Sequence, residues 1–168
     1  MTPATRPDDP ADAAALARYA AALADAVELA LPGWVERAVE ARWRAVTGEE
    51  PSAELRAAAA DAGRQAQGEV GPALRTLLAA DVDAQWTNPL AIVRTAVAPA
   101  TAVLRAAGLA PVDRDADAVR LFPDDAYDLT PAAFGDLDPA VHEPGLLWGA
   151  AKAHVVLRRR RAGGRGGG

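Results

Sequence analysis

The chain has 168 residues, a formal net charge of −5 and no cysteine. The missing thiols exclude disulfides, thiolate zinc sites, iron–sulfur clusters and cysteine nucleophiles. The arginines after residue 157 carry +5, which leaves −10 on residues 1–157 and disfavours a broad nucleic-acid-binding face, because phosphate recognition needs clustered positive charge.

Length and composition favour one domain in the cytoplasm. A chain near 150 residues can bury roughly 70% of its unfolded surface, enough for a core. Alanine supplies 44 residues and buries little area, so the larger apolar side chains must anchor that core. The acidic, proline-rich start MTPATRPDDPAD differs from a secretory signal, and no apolar run reaches the roughly 18 residues that span a bilayer.

The first half of the domain is predicted to be helical. We expect residues 1–9 to form a disordered lead and Pro10 to start the first helix, which ends near Pro32 and Gly33. A short second helix follows and closes at Gly48, whose missing side chain suits the left-handed conformation of a helix end.

Further helix signals follow in chain order. Ser52 is expected to cap a third helix, which kinks or breaks near Gly71. Thr87-Asn88-Pro89 is a second start signal, with Asn88 as the cap and Pro89 as the first helical residue. Pro99 is expected to bend or restart that helix before it ends at Gly108.

The last third contains shorter predicted elements. Residues 113–122 are expected to form a short helix, and Thr130-Pro131 and Asp138-Pro139 repeat the signal of a cap followed by proline. Pro144 is expected to start a final helix that runs to Leu157 or into the arginines.

Strand-period alternation is rare throughout the chain. We therefore predict an all-α fold, an irregular bundle of about five to seven helices, several of them kinked or short, in a single domain of residues 10–157. A flexible, basic arginine- and glycine-rich tail of residues 158–168 follows.

The stretch from Phe122 to Val155 gathers acidic, aromatic, proline and histidine residues that the rest of the chain uses sparingly. Rigid turns beside aromatic and acidic side chains are typical of a contact surface. The leading hypothesis is therefore a non-enzymatic protein that binds another protein or a second copy of itself. The candidate contact residues are Asp124, Tyr127, Asp128, Trp148 and Trp86.

Metal binding, alone or in a metal-dependent enzyme, is the alternative hypothesis for the same stretch. Oxygen-rich clusters suit Mg²⁺ or Ca²⁺, and imidazoles could complete a site, although the spacing matches no loop template and capping explains the same acids. The candidate ligands are Asp124, Asp125, Asp128, His142, Glu143 and His154. No motif specifies a reaction, so the sequence assigns neither a catalytic residue nor a cofactor.

The basic tail suggests a second alternative, docking to polyanions. Flexible positive charge associates with nucleic acid or anionic lipid in a salt-dependent way, but it is also typical of a solvated tail. The residues concerned are Arg158, Arg159, Arg160, Arg161 and Arg165. The acidic body and the absence of a spanning segment make nucleic-acid and membrane partners the weaker expectations.

Several strings in the second half resemble an uncharacterised family of small helical proteins from high-G+C bacteria. The strings are FPDDAYDLTPAAFGDLDP, HEPGLLWGAAKAHV, TNPLAIVRTAV and VLRAAGL, and the likeness covers roughly residues 80–157. The resemblance implies a cytoplasmic single-domain protein. It assigns no activity, cofactor or catalytic residue.

Overall fold

The computed structural model describes residues 10–80 and 89–139, which form helices and connecting turns without a β-strand. The helices are α1 (Pro10–Thr47), α2 (Ala53–Ala80), α3 (Pro89–Val93), α4 (Val97–Ala106), α5 (Ala116–Leu121) and α6 (Phe134–Leu137). A 3₁₀ turn, Arg94–Ala96, joins α3 to α4. The all-α prediction is confirmed for these two ranges.

The predicted number of helices is too high for the part of the chain that is described. Of the six helices named above, α3 and α6 are single turns, and only four helices have six or more residues. Five to seven were expected for residues 10–157. The difference arises at two predicted breaks, since α1 runs through Pro32 and Gly33 and α2 runs through Gly71 and Pro72. The predicted helix from Pro144 lies outside the described residues.

Packing against α2 explains why α1 continues past Pro32. A proline inside a helix leaves the carbonyl four residues earlier without its amide donor, and here that carbonyl belongs to Glu28. The side-chain amide of Gln67 on α2 donates to it, with 3.1 Å from Nε2 to the oxygen. Leu31 and Val35, on either side of the proline, are fully buried and hold this part of α1 on the core.

Helices α1 and α2 form an antiparallel pair, because residues later in α2 contact residues earlier in α1. Arg75 pairs with Glu28, whereas Arg56 pairs with Glu40. The pair is close at Gly63, where an added Cβ atom would lie 2.9 Å from the backbone of Pro32. Gly63 therefore leaves room on α2 for the close approach of α1.

The turn between these two helices follows the sequence signals. Gly48 has a positive φ of 71°, and its amide donates to the carbonyl of Arg44 at 2.9 Å. The hydroxyl of Ser52 accepts the amide hydrogen bond of Leu55 at 3.1 Å and caps the first turn of α2. Both predictions for this turn are confirmed.

Helix α4 packs against α1 and α2 and ends in a Schellman motif. Gly108, with φ of 81°, donates to Arg105, and the amide of Leu109 donates to the carbonyl of Leu104. Leu104 and Leu109 are both buried in the core. The chain leaves α4 with Leu109 fixed against the core.

The segment after α4 is fastened to the helices by polar side chains. Asp115 caps α5 by accepting from the amide of Ala118 at 2.8 Å, as the predicted short helix requires. Arg37 of α1 donates to the carbonyl of Leu137 at the end of α6. The element predicted at Thr130-Pro131 is instead an irregular turn, and α6 begins only at Phe134.

Candidate functional site

The stretch singled out by its composition contains a buried carboxylate that organises a loop. Asp125 is 2% exposed, and we call residues 122–130 around it the Asp125 loop. Its oxygens accept from the amides of Tyr127, Leu129 and Thr130 at 3.4, 2.8 and 2.7 Å, and from the Thr130 hydroxyl at 2.6 Å. Charge-assisted bonds of this kind are roughly twice as strong as neutral ones, so the carboxylate fixes the loop.

These bonds explain why Thr130-Pro131 does not start a helix. The amide and hydroxyl of Thr130 both donate to Asp125, which holds Thr130 in the loop and not at a helix start. The cap position of α6 is taken by Ala133, and Asp136 accepts from its amide at 2.9 Å. The side chain that competes for Thr130 stands five residues earlier in the chain.

Tyr127 lies in the core and not on the surface where the contact prediction placed it. Its side chain is fully buried, and its hydroxyl donates to the carbonyl of Leu109 at 2.7 Å. The amide of Val112 donates to the carbonyl of Ala126 at 3.1 Å beside it. Tyr127 therefore joins the Asp125 loop to the end of α4 and offers no surface to a partner.

Asp124 and Asp128 are the exposed acids of the loop. Asp128 adopts a positive φ of 57°, a conformation that aspartate tolerates better than most residues. The Arg42 guanidinium of α1 donates to the backbone carbonyl of Asp128 at 3.3 Å. The loop is thus bound to α1 through its backbone while both carboxylates face outward.

Asp125 fits poorly as a metal ligand, because its oxygens already accept four hydrogen bonds. Within residues 10–80 and 89–139, no three acidic or histidine side chains are arranged to hold a metal ion. His142, Glu143 and His154 lie outside the described residues. Asp125 therefore holds the loop together, whereas Asp124 and Asp128 are exposed to solvent.

The other predicted contact residues fall outside the described ranges. These are Trp86, Trp148 and the tail arginines Arg158, Arg159, Arg160, Arg161 and Arg165. In the described part of the chain, no helix combines the length and apolar character needed to cross a membrane.

An open groove beside Trp43 was not expected from the sequence. It encloses about 640 Å³ between α2 and α4, and we call it the α2–α4 groove. Ala58 and Ala62 line it from α2, and Ala102 and Ala106 line it from α4. Their spacing of four residues was the available signal, but the high alanine content of the whole chain concealed it.

Trp43 lines this groove from α1. The indole is partly buried, and its Nε1 atom is buried without a hydrogen-bond partner among the described residues. A buried donor left unpaired costs about 1–3 kcal/mol. Trp34 on the same helix, in contrast, is 5% exposed and belongs to the core.

A charge network closes the α1–α2 turn near the same end of the bundle. The Arg44 guanidinium makes a two-point contact with Glu50 at 2.9 and 3.0 Å, and it also reaches Glu40 at 3.0 Å. The hydrogen bond from Arg44 holds the pKa of the Glu50 carboxyl below its ordinary value. The pKa of Arg44 is raised in turn, first through Glu50.

No family model, curated protein or solved structure matches this chain.

Proposed function

We propose that this is a non-enzymatic cytoplasmic protein that acts by binding another protein, and that the outer face of the Asp125 loop makes the contact. The observation that carries the proposal is the buried carboxylate of Asp125 with its four hydrogen bonds. A loop held so firmly presents Asp124 and Asp128 in one arrangement.

Rigidity matters because association must offset the entropy lost when loops and side chains are ordered. A surface that is ordered before binding loses less conformational freedom, so fewer contacts suffice for a given affinity. The loop meets this condition at two neighbouring residues, because Tyr127 donates to Leu109 and Asp128 accepts from Arg42.

The exposed charges indicate the kind of partner. Asp124 and Asp128 place two carboxylates on this face, while Arg42 donates to the Asp128 carbonyl and Arg114 donates to the carbonyl of Phe122 at the start of the loop. Because Arg42 donates to a backbone carbonyl, it leaves the Asp128 carboxylate free for a partner. We therefore expect a partner surface with arginine or lysine side chains, since opposite charges steer association and fix the register of an interface.

The proposal is tested with the full-length chain as bait in quantitative affinity capture. Asp124→Asn with Asp128→Asn removes both charges at exposed positions and should release the specific partner while the fold is retained. Glu49→Gln with Glu69→Gln, at exposed positions in the α1–α2 turn and on α2, is a control with the same change of charge. Capture of the same proteins by both double variants would contradict the proposed surface.

A further inference from the structure

The α2–α4 groove has a floor of small side chains that leaves room for close approach. Ala58 and Ala62 stand one helical turn apart on α2, and Ala102 and Ala106 stand one turn apart on α4. Ala102 and Ala106 are exposed, and Ala58 is partly exposed. Two neighbouring helices with small residues along the groove between them can bind a third helix, whose apolar face packs into that groove.

The charges of the lining are all of one sign. Glu54 and Asp61 of α2 line the groove, and no basic side chain lines it among the described residues. Asp61 pairs with Arg64 on the outside of α2, whereas Glu54 has no ion-pair partner within the described ranges. The groove therefore combines an apolar floor with an acidic rim on one side.

We propose that the α2–α4 groove binds a basic amphipathic helix of a partner protein. The apolar face of that helix packs on the alanine floor, and its lysine or arginine side chains meet Glu54 and Asp61. Trp43 lines the groove, so the environment of its indole changes when the helix binds. This surface shares no residue with the Asp125 loop, so either surface can fail its test without affecting the other.

The test uses the full-length protein and two synthetic helical peptides. Both peptides carry the same leucine and alanine face, and the opposite face carries lysine in one and glutamate in the other. Binding is measured by calorimetry, and the Trp43 indole signal is followed by NMR after assignment with Trp43→Phe. We expect the lysine peptide to bind and to shift the Trp43 signal, and the glutamate peptide to do neither.

Variants then locate the binding. Ala106→Arg places a bulky cation in the groove and should abolish binding, whereas Ala57→Arg, at an exposed α2 position outside the lining, should not. Glu54→Gln with Asp61→Asn should weaken binding roughly fivefold at low salt, as expected for two solvent-exposed pairs. Glu49→Gln with Glu69→Gln controls for the overall charge.

Three results would overturn the proposal. The first is absence of binding by the lysine peptide, and the second is equal binding by both peptides. The third is self-association in sedimentation that Ala106→Arg abolishes, because the groove would then belong to a second copy of the chain. If Ala106→Arg fails to fold, the charge variants and the Trp43 signal still decide the outcome.

Discussion

Gln67 supplies the hydrogen bond that Pro32 removes from α1. Its side-chain amide lies 3.1 Å from the carbonyl oxygen of Glu28, the group that residue 32 would otherwise bond through its amide. Residue 67 stands on the antiparallel helix, so a defect in α1 is repaired by α2. The repair makes the stability of α1 depend on the pairing of the two helices.

Gln67→Ala should therefore destabilise the protein by about 1–3 kcal/mol, because the Glu28 carbonyl loses its side-chain donor. Restoring the helical donor with Pro32→Ala should make Gln67 less important, so the cost of Gln67→Ala should be smaller in that background. Denaturant unfolding of the four proteins in this cycle measures the coupling. Equal costs in both backgrounds would show that the Gln67 bond is not the repair of the proline site.

Two glycines of α2 should respond to alanine with opposite signs. Gly63→Ala should destabilise the fold by roughly 1–3 kcal/mol, because the new Cβ would meet the backbone of Pro32 at 2.9 Å and backbone yields little. At Gly68 a Cβ would meet nothing within 4 Å, so Gly68→Ala should stabilise by about 0.5–1 kcal/mol through helix propensity. Thermal or denaturant unfolding distinguishes the two cases, and stabilisation by both variants would contradict the close helix approach.

The sequence predicts much of the local structure, because caps and turns depend on neighbouring residues. Ser52, Gly48 and Pro89 are where their patterns placed them, at helix ends. The predicted helix end at Pro32 is wrong, and α2 continues through Gly71 without a break, because the penalty for an internal proline or glycine is set by what packs against it. For Pro32 that contact comes from Gln67, which lies 39 residues from the carbonyl it satisfies.

The candidate site was only partly predictable for the same reason. The composition of FPDDAYDLTP indicated an unusual segment, but three aspartates in one run look alike in a sequence. Folding assigns Asp125 to the interior and leaves Asp124 and Asp128 outside, and it turns Tyr127 inward to reach Leu109. Which of these residues becomes buried depends on where α4 ends in the fold, and the sequence of this segment alone does not specify that position.

Asp125→Asn should be much more destabilising than Asp124→Asn. The asparagine keeps one acceptor but places an amide group among the donors of Tyr127, Leu129 and Thr130, so we expect a loss of about 2–3 kcal/mol. Asp124 is exposed, and its replacement should change the unfolding free energy by about 0.5 kcal/mol or less. Equal effects in denaturant unfolding would show that the buried carboxylate does not organise the loop.

Tyr127→Phe isolates the single bond between the loop and α4. The ring remains in the core, and only the hydroxyl that donates to Leu109 at 2.7 Å is removed. We expect a loss of about 1 kcal/mol, together with faster amide hydrogen exchange in residues 125–130. Unchanged exchange in this loop, with the protein otherwise folded, would argue against Tyr127 as its anchor.

Acid should weaken the α1–α2 turn through Glu50. The hydrogen bond from Arg44 lowers the pKa of Glu50 in the folded protein, so the unfolded chain takes up the proton more readily as the pH falls. The stabilisation is present above the ordinary glutamate pKa of about 4.3 and is lost as the pH drops through the lower folded value. Glu50→Gln should reduce the decrease in Tm between about pH 6 and about pH 3, and added salt should shrink the difference because the pair is exposed.

Glu49→Gln is the matched control, since Glu49 has no ion pair among the described residues, and it should leave the acid dependence closer to that of the parent. If both variants follow the same pH curve, the Arg44–Glu50 contact contributes nothing specific to the turn.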